Sequence, residues 1–78
     1  MIYRKTEVQA TFTPDGWPIP TSLTWYDVRL AVTEMGRRWK DDDGIHVRVR
    51  VADGRVFELH TNGTLWQASL ISDPPHLA

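Results

Sequence analysis

The most constraining feature of the sequence is a strict alternation of apolar and polar residues from Ile45 to Val51. Alternation with a period of two is the pattern of a β-strand that buries one face. The segment is followed by Asp53-Gly54 and later by Asn62-Gly63, residue pairs that are typical of tight hairpin turns. Together these features predict a three-stranded antiparallel meander over residues 45–71.

The loop between the first two strands of this meander decides which residues face the core. A two-residue turn at Asp53-Gly54 would place Val49 opposite Glu58 and put a charge on the apolar face. A three-residue loop over residues 52–54 avoids this conflict, and we therefore predict it. The pairs expected in that register are Val49 with Phe57, Val47 with Leu59, Arg48 with Glu58 and His46 with His60.

Asn62-Gly63 predicts a two-residue type I′ turn between the second and third strands of the meander. Such a turn would pair Leu59 with Trp66 and Phe57 with Ala68. The predicted core face of the meander consists of Val47, Val49, Phe57, Leu59, Trp66, Ala68 and Leu70.

In the N-terminal half, residues 1–12 are predicted to form a first strand that ends at the turn residues Thr13-Pro14-Asp15-Gly16. The next segment, Trp17-Pro18-Ile19-Pro20, must be extended but cannot form a central strand, because proline has no N–H to donate. Residues 72–78 contain two adjacent prolines and are predicted to be a frayed tail. We expect residues 1–78 to form a single small domain.

Two interpretations of residues 22–40 remain open from the pattern alone. Apolar residues recur there at spacings of three and four, as on an amphipathic helix that Thr24 could cap. Against a helix, Val28, Leu30 and Val32 also alternate, and Gly36 is costly inside a helix. The residues of the helical stripe are Trp25, Val28, Val32, Met35 and Trp39.

A family pattern extends over residues 20–68. The residues that carry it are Leu23-Thr24-Trp25, Leu30, Val32, Glu34-Met35, Arg38-Trp39, His46-Val47-Arg48-Val49, Gly54, Phe57-Glu58-Leu59 and Trp66. In these residues the chain resembles the DUF6504-like family, a group of short bacterial proteins with a domain of unknown function. It departs from that family at Tyr26-Asp27, where Arg and Gly are usual, and at the acidic run Asp41-Asp42-Asp43.

The resemblance implies a largely β protein in which residues 22–40 form a hairpin that turns at Tyr26-Asp27. It implies no activity, because the family carries none that is established. We therefore predict a mainly β fold, a small antiparallel open barrel or bent sheet of five or six strands, similar to an SH3-like barrel. The alternative is an α+β fold in which a helix at residues 26–39 packs across the meander.

Length and composition limit how such a domain can be stabilised. With 78 residues and no cysteine, it has neither disulfides nor thiolate metal sites. Four tryptophans point to a dense aromatic core and leave self-association open. The longest apolar run, Leu30-Ala31-Val32, is far shorter than the ~20 residues that span a bilayer, and the N-terminus lacks a signal-peptide pattern. We expect a cytoplasmic protein with no membrane partner.

Few residues suggest chemistry. His46 and His60 would supply two metal ligands on an exposed face, but a third ligand is missing. The run Asp41-Asp42-Asp43-Gly44 lacks the ligand spacing of a calcium loop. The serines lie outside any nucleophile-elbow pattern, and no spacing pairs the glutamates. We expect no metal, no cofactor, no catalytic residue and hence no enzymatic activity.

One basic group lies near aromatic residues, although nine lysines and arginines against ten acidic residues leave a net charge of -1. Its members and the proline-flanked Trp17 are the candidate binding residues: Trp17, Arg37, Arg38, Lys40, Arg48 and Arg50. The favoured hypothesis is a non-enzymatic protein-interaction module or accessory subunit that binds a protein partner or a second copy of itself. The alternative is a small barrel that binds single-stranded nucleic acid weakly, which the charge balance disfavours.

Overall fold

The computed structural model describes residues 2–72, and this part of the chain is all β, without a helix. The strands are β1 (Arg4–Thr6), β2 (Val8–Phe12), β3 (Pro18–Trp25), β4 (Val28–Asp41), β5 (Gly44–Val51), β6 (Val56–Thr61) and β7 (Trp66–Ser72). They form one antiparallel sheet in the order β1-β7-β6-β5-β4-β3-β2. The predicted mainly β fold is confirmed, and no segment of residues 2–72 forms a helix that could cross a membrane.

The N-terminal segment makes the sheet curl into an open barrel. β1 pairs with β7 and β2 pairs with β3, so the two ends of the strand order are joined in sequence through Glu7. Across this junction the N–H of Thr24 donates to the carbonyl of Glu7 at 2.9 Å, and the Thr6 hydroxyl donates to the carbonyl of Thr24. The segment predicted as one strand over residues 1–12 is thus two strands that serve opposite edges, while Met1 lies outside the described residues.

Residues 22–40 form a β-hairpin and not a helix. Trp25 pairs with Val28 across a two-residue turn at Tyr26-Asp27, as the family resemblance implied. Both turn residues have positive φ angles, 48° for Tyr26 and 64° for Asp27, as a type I′ turn requires. The segment therefore consists of the end of β3 and nearly all of β4, which pairs with β3 up to Ala31 and with β5 beyond it, and the α+β alternative is wrong.

The predicted register of the first meander hairpin is confirmed. Val49 pairs with Phe57, and His46 pairs with His60. The loop has three residues, closed by a hydrogen bond of 2.9 Å from the Gly54 N–H to the Val51 carbonyl. Gly54 adopts the positive φ, 93°, that this loop needs.

The second meander hairpin differs from the prediction by two residues. Thr61 pairs with Trp66 and Leu59 with Ala68, so residues 62–65 form a four-residue loop instead of a two-residue turn. The side chain of Asn62 causes the difference, because its Oδ1 accepts the N–H groups of residues 64 and 65 at 3.0 and 3.1 Å. A shift of two residues keeps every side chain on its predicted face.

The core lies on one face of the curled sheet. Its buried apolar residues are Leu23, Leu30, Val47, Val49, Val51, Phe57, Leu59 and Ala68. Of the predicted core residues, Trp66 is half-buried against this cluster, and Leu70 is 37% exposed. The β1–β7 ladder ends at Ala68, so β1 does not extend alongside Leu70. In the predicted tail, Ser72 is the last residue of β7, and residues 73–78 lie outside the described part.

The proline-flanked segment lies at the start of β3. Pro18 and Pro20 are buried and pair with Phe12 and Ala10 of β2. The ladder between β3 and β4 begins only at Ser22, so the proline part of the strand is paired on one side alone. This agrees with the expectation that the segment is extended and cannot be a central strand.

We predict that Gly44→Ala destabilises the fold much more than Gly63→Ala. A Cβ at Gly44 would lie 2.3 Å from the carbonyl oxygen of Thr61, whereas a Cβ at Gly63 would meet no atom within 4 Å. Both glycines have positive φ, which costs an L-residue roughly 1–2 kcal/mol. Only Gly44→Ala adds overpacking, of roughly 1–3 kcal/mol. Urea unfolding followed by tryptophan fluorescence measures both changes, and equal losses would contradict the register of β5 and β6.

Candidate functional site

The six candidate binding residues separate into two clusters and one isolated residue. Trp17 lies under two cations, with the Arg38 guanidinium carbon 4.5 Å and the Lys40 ammonium 5.1 Å from its ring centroid. Trp39, which was not among the six, lies under Arg37 and Arg48 at 4.9 and 5.9 Å. Arg50 is apart from both, beside Glu34 at 3.8 Å.

Strand alternation explains this separation. Arg38 pairs with Val47, on the core face, and Trp39 pairs with His46, on the opposite face. Arg38 and Lys40 therefore contact Trp17 on one side of β4, while Arg37 and Arg48 contact Trp39 on the other. The six residues do not form one continuous basic surface.

A polar cluster is buried on the face of the meander that the sequence predicts to be exposed. His46 is 7% exposed and Glu58 is 4% exposed, so the expectation of surface histidines is wrong for His46. The His46 ring is stacked between Trp39, at 5.0 Å and an interplanar angle of 2°, and His60, at 4.6 Å. The ring of Tyr3 lies beside that of His60, with the two centroids 5.8 Å apart. These rings cover the face and exclude water from it.

The buried carboxylate of Glu58 is shared by three partners. The Tyr3 hydroxyl donates a hydrogen bond to it, and the Arg48 Nε lies 3.4 Å from its second oxygen. His46 Nδ1 is 3.5 Å from Glu58, and His46 Nε2 is 2.9 Å from Asp41. Within the described residues neither ring nitrogen of His46 makes a hydrogen bond of normal geometry, so these are close polar contacts with the two carboxylates.

These contacts shift two acidic groups in opposite directions. Burial, followed by the hydrogen bond and charge of Glu58, raises the pKa of Tyr3 to about 12. Partial desolvation acts to raise the pKa of Asp41, but the contact with His46 and backbone N–H groups outweigh it and lower that pKa. Within residues 2–72 no group of three or more His, Asp or Glu is arranged to hold a metal ion. The cluster thus joins the N-terminal segment to the meander.

The principal clefts lie elsewhere, at the tip of the β3–β4 hairpin. One cleft, of 580 Å³, is largely apolar. We call its main lining residues the hairpin-tip surface. They are Ile2, Arg4, Trp25, Tyr26, Leu70 and Ile71. A second cleft, of 520 Å³, is more polar and lies between residues 4–7 and residues 24–27. Arg4, Trp25 and Tyr26 line both clefts.

Tyr26 is the most exposed aromatic side chain of the hairpin-tip surface. It is 64% exposed, its ring packs edge-on against Trp25 at 5.2 Å, and the Arg4 guanidinium lies 4.0 Å from its centroid. Trp25 in turn packs edge-on against the core residue Phe57 at 5.0 Å. The surface therefore presents a rigidly supported aromatic pair with a cation to the outside.

None of Arg4, Trp25 and Tyr26 is among the six candidate binding residues predicted from the sequence. A signal was available at Tyr26-Asp27, where a type I′ turn favours Asn-Gly and the resembled family usually has Gly at the second position. A bulky residue at a turn position that disfavours it points to selection for the side chain itself.

Comparison with known proteins gave no significant match to a family model, to a curated protein or to a solved structure. The resemblance in residues 20–68 therefore stays a prediction.

We predict that Glu58→Gln lowers the free energy of unfolding by about 1–3 kcal/mol, because it removes the charge from a buried side chain that accepts hydrogen bonds from Tyr3 and Arg48. Glu34→Gln is the matched control, since Glu34 is exposed and its ion pair with Arg50 is worth less than about 1 kcal/mol. Both are measured by urea unfolding. Similar small losses in the two variants would show that Glu58 is not required for the fold.

We also predict that Tyr3 makes stability depend on pH in the alkaline range. Its pKa is about 12 in the native protein, above the value near 10 of an unfolded chain, so the native state favours the protonated phenol. The stability it contributes is complete below pH 10 and is lost as the pH rises towards 12. The free energy of unfolding should therefore fall less steeply over this range in Tyr3→Phe than in the wild type. Parallel decreases would rule out the Tyr3 contribution.

Proposed function

We propose that this protein is a non-enzymatic protein-interaction module that binds its partner through the hairpin-tip surface. The observation that carries the proposal is the exposed Tyr26 at a turn position where a bulky side chain is disfavoured. The residues with most potential chemistry, His46 and Glu58, are already engaged with each other and with Tyr3 and Arg48 in the buried cluster.

The strained turn is the first line of support. Tyr26 and Asp27 have φ angles of 48° and 64°, a region that costs an L-residue roughly 1–2 kcal/mol. Burial does not compensate for this cost at Tyr26, because most of its ring faces solvent. Backbone strain that is not offset by burial of the side chain is typical of positions selected for function.

The composition of the surface is the second line of support. Tyrosine, tryptophan and arginine are the residue types that dominate binding energy in protein interfaces, and Tyr26, Trp25 and Arg4 lie together here. Ile2 and Leu70 extend the exposed apolar area beside them. A partner side chain of moderate size fits the 580 Å³ cleft, with the Arg4 guanidinium at its rim. The partner is either another protein or a second copy of this chain.

Nucleic-acid binding is the weaker candidate. The favourable observation is that cations lie beside Trp17 and Trp39, as in proteins that bind single strands. However, the cations lie over the indole faces on which bases would stack, and the net charge of the chain is -1. These features favour a protein partner.

We predict that the double change Tyr26→Asn with Asp27→Gly stabilises the fold and abolishes partner binding. Asn-Gly suits the type I′ turn, so the free energy of unfolding should rise by about 1–2 kcal/mol. The loss of the aromatic ring should weaken binding at least about tenfold. The measurement is affinity capture from an extract of the source cell, quantified by mass spectrometry, together with sedimentation to detect a second copy.

Phe12→Ser is the matched control, because Phe12 is also an exposed aromatic residue but lies outside both clefts. It should leave the captured proteins and the sedimentation coefficient unchanged. The proposal fails if the double variant captures the same proteins, or forms the same oligomer, as the wild type.

A further inference from the structure

The far end of β4 has a strand edge without a partner. The ladder between β3 and β4 ends where Ser22 pairs with Ala31, whereas the ladder between β4 and β5 continues to Asp41. Within residues 2–72, no backbone hydrogen bond outside the β4–β5 ladder involves residues 32–41. We call this unpaired side of residues 32–41 the β4 edge.

The sequence of β3 explains why the edge is left open. Alongside residues 32–36, β3 would have to continue its ladder through Pro20 and Pro18, and neither has an N–H to donate. β3 begins at Pro18, so the last residues of β4 extend past it. The edge is therefore a consequence of the two prolines.

The side chains along the β4 edge give it a positive charge. Arg37, Arg38 and Lys40 are exposed, and within the described chain none lies within 4 Å of a carboxylate; the Asp15 carboxylate lies farther off, where the hydrogen bond from Thr13 and then the charges of Arg38 and Lys40 lower its pKa. The acidic residues of the strand are already engaged, since Glu34 is beside Arg50 and Asp41 is beside His46. Three neighbouring cations on an unpaired strand form a surface complementary to an acidic segment.

We infer that the β4 edge binds an acidic peptide segment in an extended conformation, which adds to the sheet as a further strand. The main chain of the segment supplies the hydrogen bonds that β3 cannot, and its carboxylates contact Arg37, Arg38 and Lys40. Because these cations lie on both faces of β4, the preferred segment has acidic residues at successive positions. This surface is separate from the hairpin-tip surface, so it goes beyond the function proposed for that surface.

A peptide fits this edge better than a single-stranded nucleic acid. An unpaired strand presents alternating N–H and C=O groups, and a phosphodiester backbone has no donors to match the carbonyls. The indole faces of Trp17 and Trp39, on which bases would stack, are covered by Arg38, Lys40 and Arg37.

The probe for the experiment is a peptide of about eight residues that contains only Glu and Val, with at least two adjacent Glu at its centre. Binding to the full chain is measured by fluorescence polarisation at low salt and by NMR of the backbone amides. We expect saturable binding with shifts concentrated in residues 32–41. Arg38→Glu with Lys40→Glu should weaken it at least about tenfold, and Arg37→Glu alone should weaken it in the same direction.

Arg29→Glu is the matched control variant, because Arg29 is an exposed arginine of β4 in the part that β3 covers. It should leave the affinity unchanged, as should the change at Tyr26-Asp27, so failure of this inference and failure of the hairpin-tip proposal are distinguishable. Two N-methylated peptides, methylated on alternate sets of residues, test strand addition, since only one set turns its N–H groups towards β4. One of them should bind and the other should not.

Three results would overturn the inference. Equal affinity of the two N-methylated peptides would show that the contact is electrostatic only. Tighter binding of an oligothymidine probe, lost in the charge-reversal variants, would make the edge a nucleic-acid site. A homodimer that persists at saturating peptide and involves residues 32–41 would make the second copy the occupant.

Discussion

The arrangement of this small sheet depends on the buried carboxylate of Glu58. A charge that is only 4% exposed is costly unless partners compensate for it. His46 and Arg48 come from the neighbouring strand β5, but Tyr3 comes from a position 55 residues earlier in the chain. The need to satisfy Glu58 therefore holds the N-terminal segment against the meander, which closes one side of the open barrel.

The same contact determines the geometry of the hairpin tip. Tyr3 and Arg4 are adjacent in an extended segment, so their side chains point to opposite sides. With Tyr3 bound to Glu58, Arg4 is turned towards the rings of Trp25 and Tyr26. Both clefts are lined by Arg4, and their shape thus depends on a carboxylate on the opposite face of the sheet.

The meander could be predicted because its register is set by period-two alternation and one three-residue loop. The second loop was not predicted correctly, because Asn-Gly favours a two-residue turn as well, and the sequence alone does not show that the Asn62 side chain instead accepts the N–H groups of residues 64 and 65. Part of the helical spacing in residues 22–40 has a physical cause in β4. Two β-bulges, after Val32 and after Met35, each insert a residue, so the positions opposite the core valines of β5 are Val32, Met35 and Arg38, three apart. The bulges account for the step from Val32 to Met35, whereas Trp39 lies on the opposite face of β4.

The candidate sites were less predictable than the fold. Alternation correctly placed Arg48 opposite Glu58 and His46 opposite His60. It did not predict that His46 and Glu58 are buried, because the covering rings come from elsewhere: Tyr3 from the segment before β1 and Trp39 from β4. The hairpin-tip surface brings together residues from β1, the β3–β4 turn and β7. Such a combination follows from the closure of the sheet, which no local pattern in the sequence specifies.

The two proposed surfaces lie at opposite ends of β4, and the charge of its edge bears on which partner can pair there. Exposed edge strands are commonly protected from aggregation by cationic side chains and by bulges, and β4 has both. Such protection acts against a second copy, whose own edge carries the same Arg37, Arg38 and Lys40 and would be repelled. It does not act against a strand of opposite charge, for which the cations become the attraction. Protection against self-pairing and recognition of an acidic segment are therefore compatible properties of one edge.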